Sequence, residues 1–161
     1  MYLMSKVAHQ LGAKHVFVTD GDIDVLNNLR FNVHRNLMGD AESSDCPVEC
    51  PQLIWGKNLD EYEKQFGKQD VIIGADCVYM PSSLEPMWQT VDKLLEKNGL
   101  FIWFNPSCRQ VDPDRVLETA TRFGFSWEKP HFSLLAEEND KDDDISMLKL
   151  FNEELYLFRR K

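Results

Sequence analysis

The sequence predicts an α/β protein with a doubly wound, mainly parallel sheet and an antiparallel edge near its carboxyl terminus. Three observations indicate this class. Strand-like and helix-like segments alternate along most of the chain. Residues 71–75 are continuously apolar, which is typical of a strand that is covered on both faces. Two strand-like segments then end the chain with no helix between them, which favours an antiparallel pair.

The first elements are a helix, a strand and a second helix. Residues 2–11 carry apolar side chains at helical spacing, and Gly12 marks the end of that helix. Residues 15–19 are β-branched and aromatic, so they predict a short buried strand that runs into a turn. A helix over residues 23–37 follows, and Asp22 is placed to cap it.

The middle of the chain continues the alternation. Residues 39–49 are polar and predict a loop, and residues 51–55 predict the next strand. Residues 58–68 are charged and weakly patterned, which favours a loop with one helical turn.

After the strand at residues 71–75, the pattern predicts a helix over residues 84–97. The pair Asn98-Gly99 marks the end of this helix. Residues 100–104 then form a second apolar strand.

The last elements are a helix over residues 113–123 and two strands, at 125–135 and 154–159. Residues 137–144 contain six acids and one lysine, which is typical of a solvated loop.

Composition limits the classes of function. With 161 residues, 18 Lys plus Arg and 27 Asp plus Glu, the chain fits a single domain over residues 1–161 with a net charge of −9. That acidity argues against sequence-independent nucleic-acid binding. No apolar run is long enough to span a membrane, and no signal peptide is recognised, so we expect a cytoplasmic protein with the nucleus as the alternative. The four cysteines are scattered and favour free thiols over disulfides or zinc.

Polar and aromatic residues follow three successive predicted strands, at the sheet edge where ligands of α/β proteins bind. Asp20 is suited to the hydroxyls of a ribose, or else to a turn. Trp55 offers a flat face to a heteroaromatic ring, or else packs in the core. Asp76 and Tyr79 follow the strand predicted over residues 71–75. A carboxylate at the end of an apolar strand is either a site group or a cap for the next turn.

These residues belong to motifs that resemble a known family. The motifs are Val-Thr-Asp at 18–20, Leu-x2-Leu-x2-Asn-x3-Asn at 26–36, Leu-Ile-Trp-Gly at 53–56 and Asp-Val-Ile-Ile-Gly-Ala-Asp-Cys-Val-Tyr at 70–79. They are similar to the seven-strand, S-adenosylmethionine-dependent, methyltransferase-like protein-lysine methyltransferases. The resemblance implies a Rossmann-like doubly wound sheet.

The resemblance also implies residue roles. Asp20 corresponds to the acid that holds the ribose of S-adenosylmethionine, and Trp55 to the tryptophan beside the adenine. Ala75 is the third expected donor-binding residue. Asp76 and Tyr79 match a catalytic Asp-x-x-Tyr motif between the sulfonium and the target amine. We expect no metal. Two asparagines, Asn32 and Asn36, have a structural role in this interpretation.

The expected reaction is methyl transfer to a lysine side chain of a substrate protein. If that substrate protein is basic, the acidic residues 137–144 would attract it. Two alternatives stay open: a histidine, N-terminal amine or small molecule as acceptor, and a non-catalytic interaction module. Members of the family begin with a strand and a Gly-rich turn. This sequence opens on the helix that follows, so we expect the first strand of the sheet to be missing from it.

Overall fold

The computed structural model describes residue 8 and residues 11–37, 47–104, 111–130 and 155–161. Its backbone divides into two compact units, Met1–Lys57 (the first unit) and Asn58–Lys161 (the second unit). The described residues contain parallel strands, helices and an antiparallel edge, which confirms the predicted α/β class. The single domain over residues 1–161 stays a prediction.

The first unit contains a two-stranded parallel sheet and one long helix. Strand β1 (Val16–Phe17) pairs with β2 (Val48–Glu49), and helix α1 spans Ile23–Leu37. The apolar side of α1 packs into a small core with β1 and β2. The buried members of this core are Val18, Leu26, Leu29 and Val33.

Helix α1 begins where the sequence predicts. The Asp22 carboxylate accepts hydrogen bonds from the amides of Asp24 at 2.8 Å and Val25 at 3.4 Å, which satisfies two amides that the helix itself leaves unpaired. Of the predicted helix at 2–11, only Ala8 and Leu11 are described. Gly12 follows with a φ of 84°, the left-handed conformation expected of a helix stop.

The second predicted strand of this unit is shifted. Pairing with β1 begins at Val48, inside the predicted loop, and residues 51–55 contribute only an isolated bridge between Gln52 and Asp20. Trp55 lies in the turn that follows. The prediction of a strand over 51–55 was wrong in its bounds, because backbone pairing ends where the Leu53 amide donates to the Asp20 carbonyl. The next carbonyl, that of Gly21, accepts from the Gln52 side chain instead.

The second unit has a four-stranded sheet in the order β3-β4-β6-β5. Its strands are β3 (Gln69–Ala75), β4 (Leu95–Phe104), β5 (Phe125–Glu128) and β6 (Leu155–Arg160). Strands β3 and β4 are parallel, while β6 runs antiparallel to both β4 and β5. The antiparallel edge is confirmed, and the last strand of the chain lies inside the sheet rather than at its margin.

Within the described residues of the second unit, the helices are α2 (Leu59–Phe66), α3 (Leu84–Leu94) and α4 (Pro113–Arg122), with a 3-10 turn at Pro81–Ser83. Trp88 on α3 is fully buried and contacts the rings of Phe101, Phe125 and Phe158, which belong to three different strands. This aromatic cluster fixes α3 on one face of the sheet.

Residues 58–68, predicted as a loop with one helical turn, instead contain the two-turn helix α2. Tyr62 is buried against Phe66, with ring centroids 4.6 Å apart. Lys93 on α3 also forms ion pairs with Asp60 at 2.6 Å and Glu63 at 2.8 Å. The ring contact lies within α2, whereas the two ion pairs join α2 to a helix that is distant in sequence. A local pattern does not reveal these ion pairs.

The boundary between α3 and β4 also differs from the prediction. The helix ends at Leu94, so residues 95–97 and the predicted stop at Asn98-Gly99 all lie in β4. Leu95 is buried as a strand residue and pairs with Gln69. A side chain at Gly99 would come within 2.8 Å of Leu95 and 3.0 Å of the Asp70 carbonyl, so the glycine permits close strand packing rather than ending a helix.

Strand β3 confirms the predicted strand but not its complete burial. Ile72 and Gly74 alternate with Val71 and Ile73, which are 50% and 44% exposed. Successive side chains of a strand point to opposite faces of the sheet, so Val71 and Ile73 lie on the face opposite Trp88 and Phe101. The face was predicted to be covered, but at these two positions it is about half exposed.

Residues 105–110 and 131–154, which include the acidic segment at 137–144 and the end of the strand predicted over 125–135, lie outside the described residues. No helix within the described ranges is both long and apolar enough to cross a membrane.

Candidate active site

Asp20 lies at the carboxyl end of β1 and is half-buried. Its backbone extends the parallel ladder through the bridge to Gln52, and the Leu53 amide donates to the Asp20 carbonyl oxygen at 3.0 Å. Since the two strands are parallel, their carboxyl ends meet at one edge of the sheet. The first unit therefore brings Asp20 and the segment that leads to Trp55 to the same edge.

The Asp20 side chain stabilises a turn. Its Oδ1 accepts a hydrogen bond from the Asp22 amide at 2.9 Å, and Gln52 Nε2 donates to the Gly21 carbonyl at 2.9 Å. A carboxylate has about four lone-pair sites, so one turn bond leaves acceptor capacity for a ribose diol. Both interpretations of Asp20 fit the geometry. Gln52 was not among the residues predicted for the site. The available signal was its polar side chain within an otherwise apolar strand segment.

Trp55 lies in a tight turn in which the Lys57 amide donates to the Ile54 carbonyl at 3.1 Å. Gly56 allows this turn with a φ of 72°. Trp55 is half-buried, whereas the core tryptophans Trp88 and Trp103 are fully buried. Trp55 is therefore partly accessible, as an indole that stacks on a flat ring has to be.

In the second unit, Ala75, Asp76 and Tyr79 form one hydrogen-bonded turn at the carboxyl end of β3. Ala75 pairs with Phe104 of β4, and the Asp76 amide donates to the Phe104 carbonyl at 2.9 Å. The Tyr79 hydroxyl donates to the Asp76 carbonyl at 2.6 Å. The structure brings all three predicted residues together.

Asp76 has a left-handed backbone, with a φ of 50°. This conformation costs L-residues roughly 1–2 kcal/mol, least for asparagine and aspartate among the non-glycine residues. Such outliers persist where surrounding contacts hold them, and they are concentrated at functional sites. The sequence gives no direct sign of this conformation beyond the residue type.

Buried neighbours anchor the turn. Val78 is fully buried, while Tyr79 is 53% exposed. Beneath the turn, a side chain at Gly74 would lie 3.1 Å from the Phe101 ring and 3.3 Å from Cys77 Sγ. Gly74 therefore leaves room for the Cys77 thiol, a role that was missed because a glycine within a strand is only a weak signal.

Burial raises the pKa of the Cys77 thiol to about 11, and the nearby Asp76 charge adds to the shift against an opposing backbone hydrogen bond. Because the folded pKa lies above the ordinary value of 9.0, the neutral thiol stabilises the fold fully below that pH. The contribution is lost as the pH rises from there through about 11.

We expect Cys77 to be alkylated by iodoacetamide at least about 100-fold more slowly in the folded chain than in urea at the same pH. The thiolate is the reactive species, and its fraction falls about tenfold per pKa unit between 9.0 and about 11. Peptide mass spectrometry would follow the Cys77 peptide in both states. Equal rates would show that the thiol is accessible and ionises normally.

The two groups, Asp20 with Trp55 and Ala75 with Asp76 and Tyr79, belong to the first and the second unit respectively. Within the described ranges, no group of three or more His, Cys, Asp or Glu side chains is placed to hold a metal ion.

Comparison with known proteins gives a family match. The profile of a family described as lysine methyltransferase matches residues 4–119. Protein N-lysine methyltransferase METTL21A of Danio rerio is 33% identical over 131 residues, which are 81% of this chain and 56% of that protein. Protein N-terminal and lysine N-methyltransferase EFM7 of Candida glabrata is 30% identical, over 79% of this chain and 51% of that protein. The chain thus spans little more than half the length of these relatives.

Solved structures show the fold. A TehB-like SAM-dependent methyltransferase from Corynebacterium glutamicum has a TM-score of 0.57 at 16% identity, over 91% of this chain and 68% of that one. An S-adenosylmethionine-dependent methyltransferase from Mesorhizobium loti has a TM-score of 0.56 at 12% identity, over 96% of this chain and 83% of that one. At these identities the similarity concerns the fold alone, and it confirms the Rossmann-like architecture.

Proposed function

The chain belongs to the lysine methyltransferase family, and from this membership we propose that it contributes the donor-binding and catalytic residues of an S-adenosylmethionine-dependent protein-lysine methyltransferase. The observation that carries the proposal is the half-buried Asp20 carboxylate at the end of a parallel ladder, with Trp55 in the turn that follows the partner strand. These are the groups that a nucleoside requires, and they lie where α/β sheets bind ligands.

The residues fit S-adenosylmethionine chemically. Asp20 would accept hydrogen bonds from the ribose hydroxyls, and the half-buried Trp55 indole would lie beside the adenine. Ala75 ends β3 without a bulky side chain, next to Asp76. When bound, the donor supplies an electrophilic methyl group on a sulfonium.

Transfer requires a neutral amine. A free lysine has a pKa of about 10.4, so it is mostly charged near neutral pH. The neutral amine would take the methyl group from the bound donor, whose sulfur would keep the electron pair of the broken carbon–sulfur bond. Asp76, held at the end of β3, would orient the amine and take up its proton through water.

A second acceptor is supported by several relatives. The EFM7 proteins of Candida glabrata and Kluyveromyces lactis are named for N-terminal as well as lysine methylation. An N-terminal amine has a lower pKa of about 7.7–8.0, so less deprotonation is required. The chain would be incubated with methyl-labelled donor and a heat-treated lysate. Peptide mass spectrometry then distinguishes the sites, and label found only away from lysine would overturn the lysine assignment.

The substrate we propose is a basic protein, attracted by the acidic residues 137–144. For the compartment we propose the cytoplasm, with the nucleus as the alternative, because four scattered cysteines favour free thiols in a reducing environment.

We expect Asp20→Asn to weaken binding of S-adenosylmethionine about 10- to 100-fold, as measured by isothermal titration calorimetry. Asparagine keeps the oxygen that accepts the Asp22 amide, so the turn survives, while one acceptor and the charge are lost. A hydrogen bond to a charged group contributes about 1.5–3 kcal/mol, which corresponds to that range. Trp55→Ala should weaken binding as well.

The matched control is Asp22→Asn, two residues away, which should leave donor affinity unchanged because asparagine also caps helix α1. Unchanged affinity in Asp20→Asn would restrict Asp20 to its turn role. If the wild-type chain binds no donor, the proposed activity does not belong to these 161 residues.

A further inference from the structure

We propose that Tyr79 is a positioning residue that acts through Asp76: its hydroxyl holds the backbone of Asp76 in the left-handed conformation from which the carboxylate acts. The inference rests on the proposed function for its catalytic consequence. The claim that the Tyr79 hydroxyl holds the Asp76 backbone depends only on the geometry of the turn.

The Asp76 peptide groups are held at both ends. On one side, the Asp76 amide donates to the Phe104 carbonyl of β4 at 2.9 Å, which fixes where the strand ends. On the other side, the Tyr79 hydroxyl donates to the Asp76 carbonyl at 2.6 Å. Between these two hydrogen bonds lies the φ of 50°. The turn therefore stabilises a conformation that aspartate seldom adopts without support.

The chemistry of the hydrogen bond defines the role of the phenol. A carbonyl oxygen only accepts, and a tyrosine hydroxyl has a single proton. That proton is therefore directed at the Asp76 carbonyl and is not the one that moves in the reaction. If Tyr79 ionised to serve as a base, it would lose this hydrogen bond and release the turn.

The surroundings suit a turn that is fixed in place. Val78, directly before Tyr79, is fully buried, so the backbone between Asp76 and Tyr79 is anchored by a buried side chain. Tyr79 itself is 53% exposed. Removing only its hydroxyl leaves the buried anchor intact, so Tyr79→Phe is expected to fold as the wild type does.

The test is a double-mutant cycle on the full chain with Tyr79→Phe and Asp76→Asn. The readouts are the rate of methyl-label transfer to a heat-treated lysate and donor affinity by calorimetry. We expect Tyr79→Phe to lower the transfer rate about 3- to 10-fold, the effect of one hydrogen bond, with donor affinity unchanged. In the Asp76→Asn background, we expect no further loss from Tyr79→Phe, because both changes act through the same carboxylate.

A second measurement does not depend on activity. Backbone NMR shifts and the amide-to-Hα coupling of Asp76 report its φ, and we expect them to move in Tyr79→Phe while the signals of β5 stay unchanged. An unchanged Asp76 conformation overturns the proposal, as do multiplicative losses in the cycle or an unchanged transfer rate in Tyr79→Phe. Absence of donor binding by the wild type would instead overturn the proposed function, and the NMR comparison would still decide whether Tyr79 holds Asp76.

Discussion

Replacement of Trp88 by alanine should lower the free energy of unfolding by about 3–5 kcal/mol, the usual cost of removing a large buried aromatic side chain. The Trp88 ring lies 4.9–5.4 Å from the rings of Phe158, Phe125 and Phe101, centroid to centroid. Its indole N–H is buried and has no hydrogen-bond partner among the residues that the structure describes, so packing rather than hydrogen bonding accounts for its contribution. Urea denaturation followed by far-UV circular dichroism measures the effect.

Trp127 provides a matched control for this experiment. It is 44% exposed on β5, and its ring centroid lies 5.8 Å from that of Tyr156. Trp127→Ala should therefore cost much less than Trp88→Ala. Equal losses from the two substitutions would mean that the aromatic cluster under α3 does not dominate the stability of the second unit.

Asp76→Asn should reduce methyl transfer about 10²-fold or more while donor affinity stays near the wild-type value. A positioned proton acceptor contributes about 10²–10⁴-fold to a rate, and the amide cannot take up a proton. Asparagine also tolerates the left-handed backbone, so the φ of 50° can be kept. Initial rates of label transfer and calorimetric titration of the donor separate the two effects.

The control is Asp70→Asn, which removes the same charge from an exposed position on β3, the strand that precedes Asp76. This variant should transfer methyl groups at the wild-type rate. If Asp76→Asn is equally active, Asp76 has no part in the chemistry. If both variants lose activity, the negative charge near β3 matters rather than the Asp76 carboxylate itself.

Elements with strong local signals were predictable. Helix α1 has both an apolar stripe and a capping residue, Asp22, whose hydrogen bonds are formed within three residues. Helix α4 is similar, because Asp112 accepts from the Asp114 amide at 3.0 Å and Pro113 starts the helix. In both cases the groups that fix the helix start are neighbours in sequence.

Elements that depend on distant partners were not predictable in the same way. Helix α2 is stabilised by Lys93, which lies some thirty positions further along the chain, through Asp60 and Glu63. The sequence pattern extends the helix predicted over residues 84–97 beyond Leu94, yet Leu95 pairs with Gln69 as part of a strand. Helical periodicity cannot distinguish a longer helix from the start of a strand at residues 95–97, because the strand forms only through pairing with β3.

The sequence by itself determined the class of fold and the order of most elements, and it singled out Asp20, Trp55, Asp76 and Tyr79 near the ends of predicted strands. These features follow from side-chain type and short-range spacing, whereas Ala75 was added by the resemblance to the family. Only the tertiary structure placed β6 between β4 and β5, exposed Val71 and Ile73, and gave Asp76 its left-handed backbone. Those features arise from hydrogen bonds and packing between residues far apart in the chain, which local periodicity does not encode.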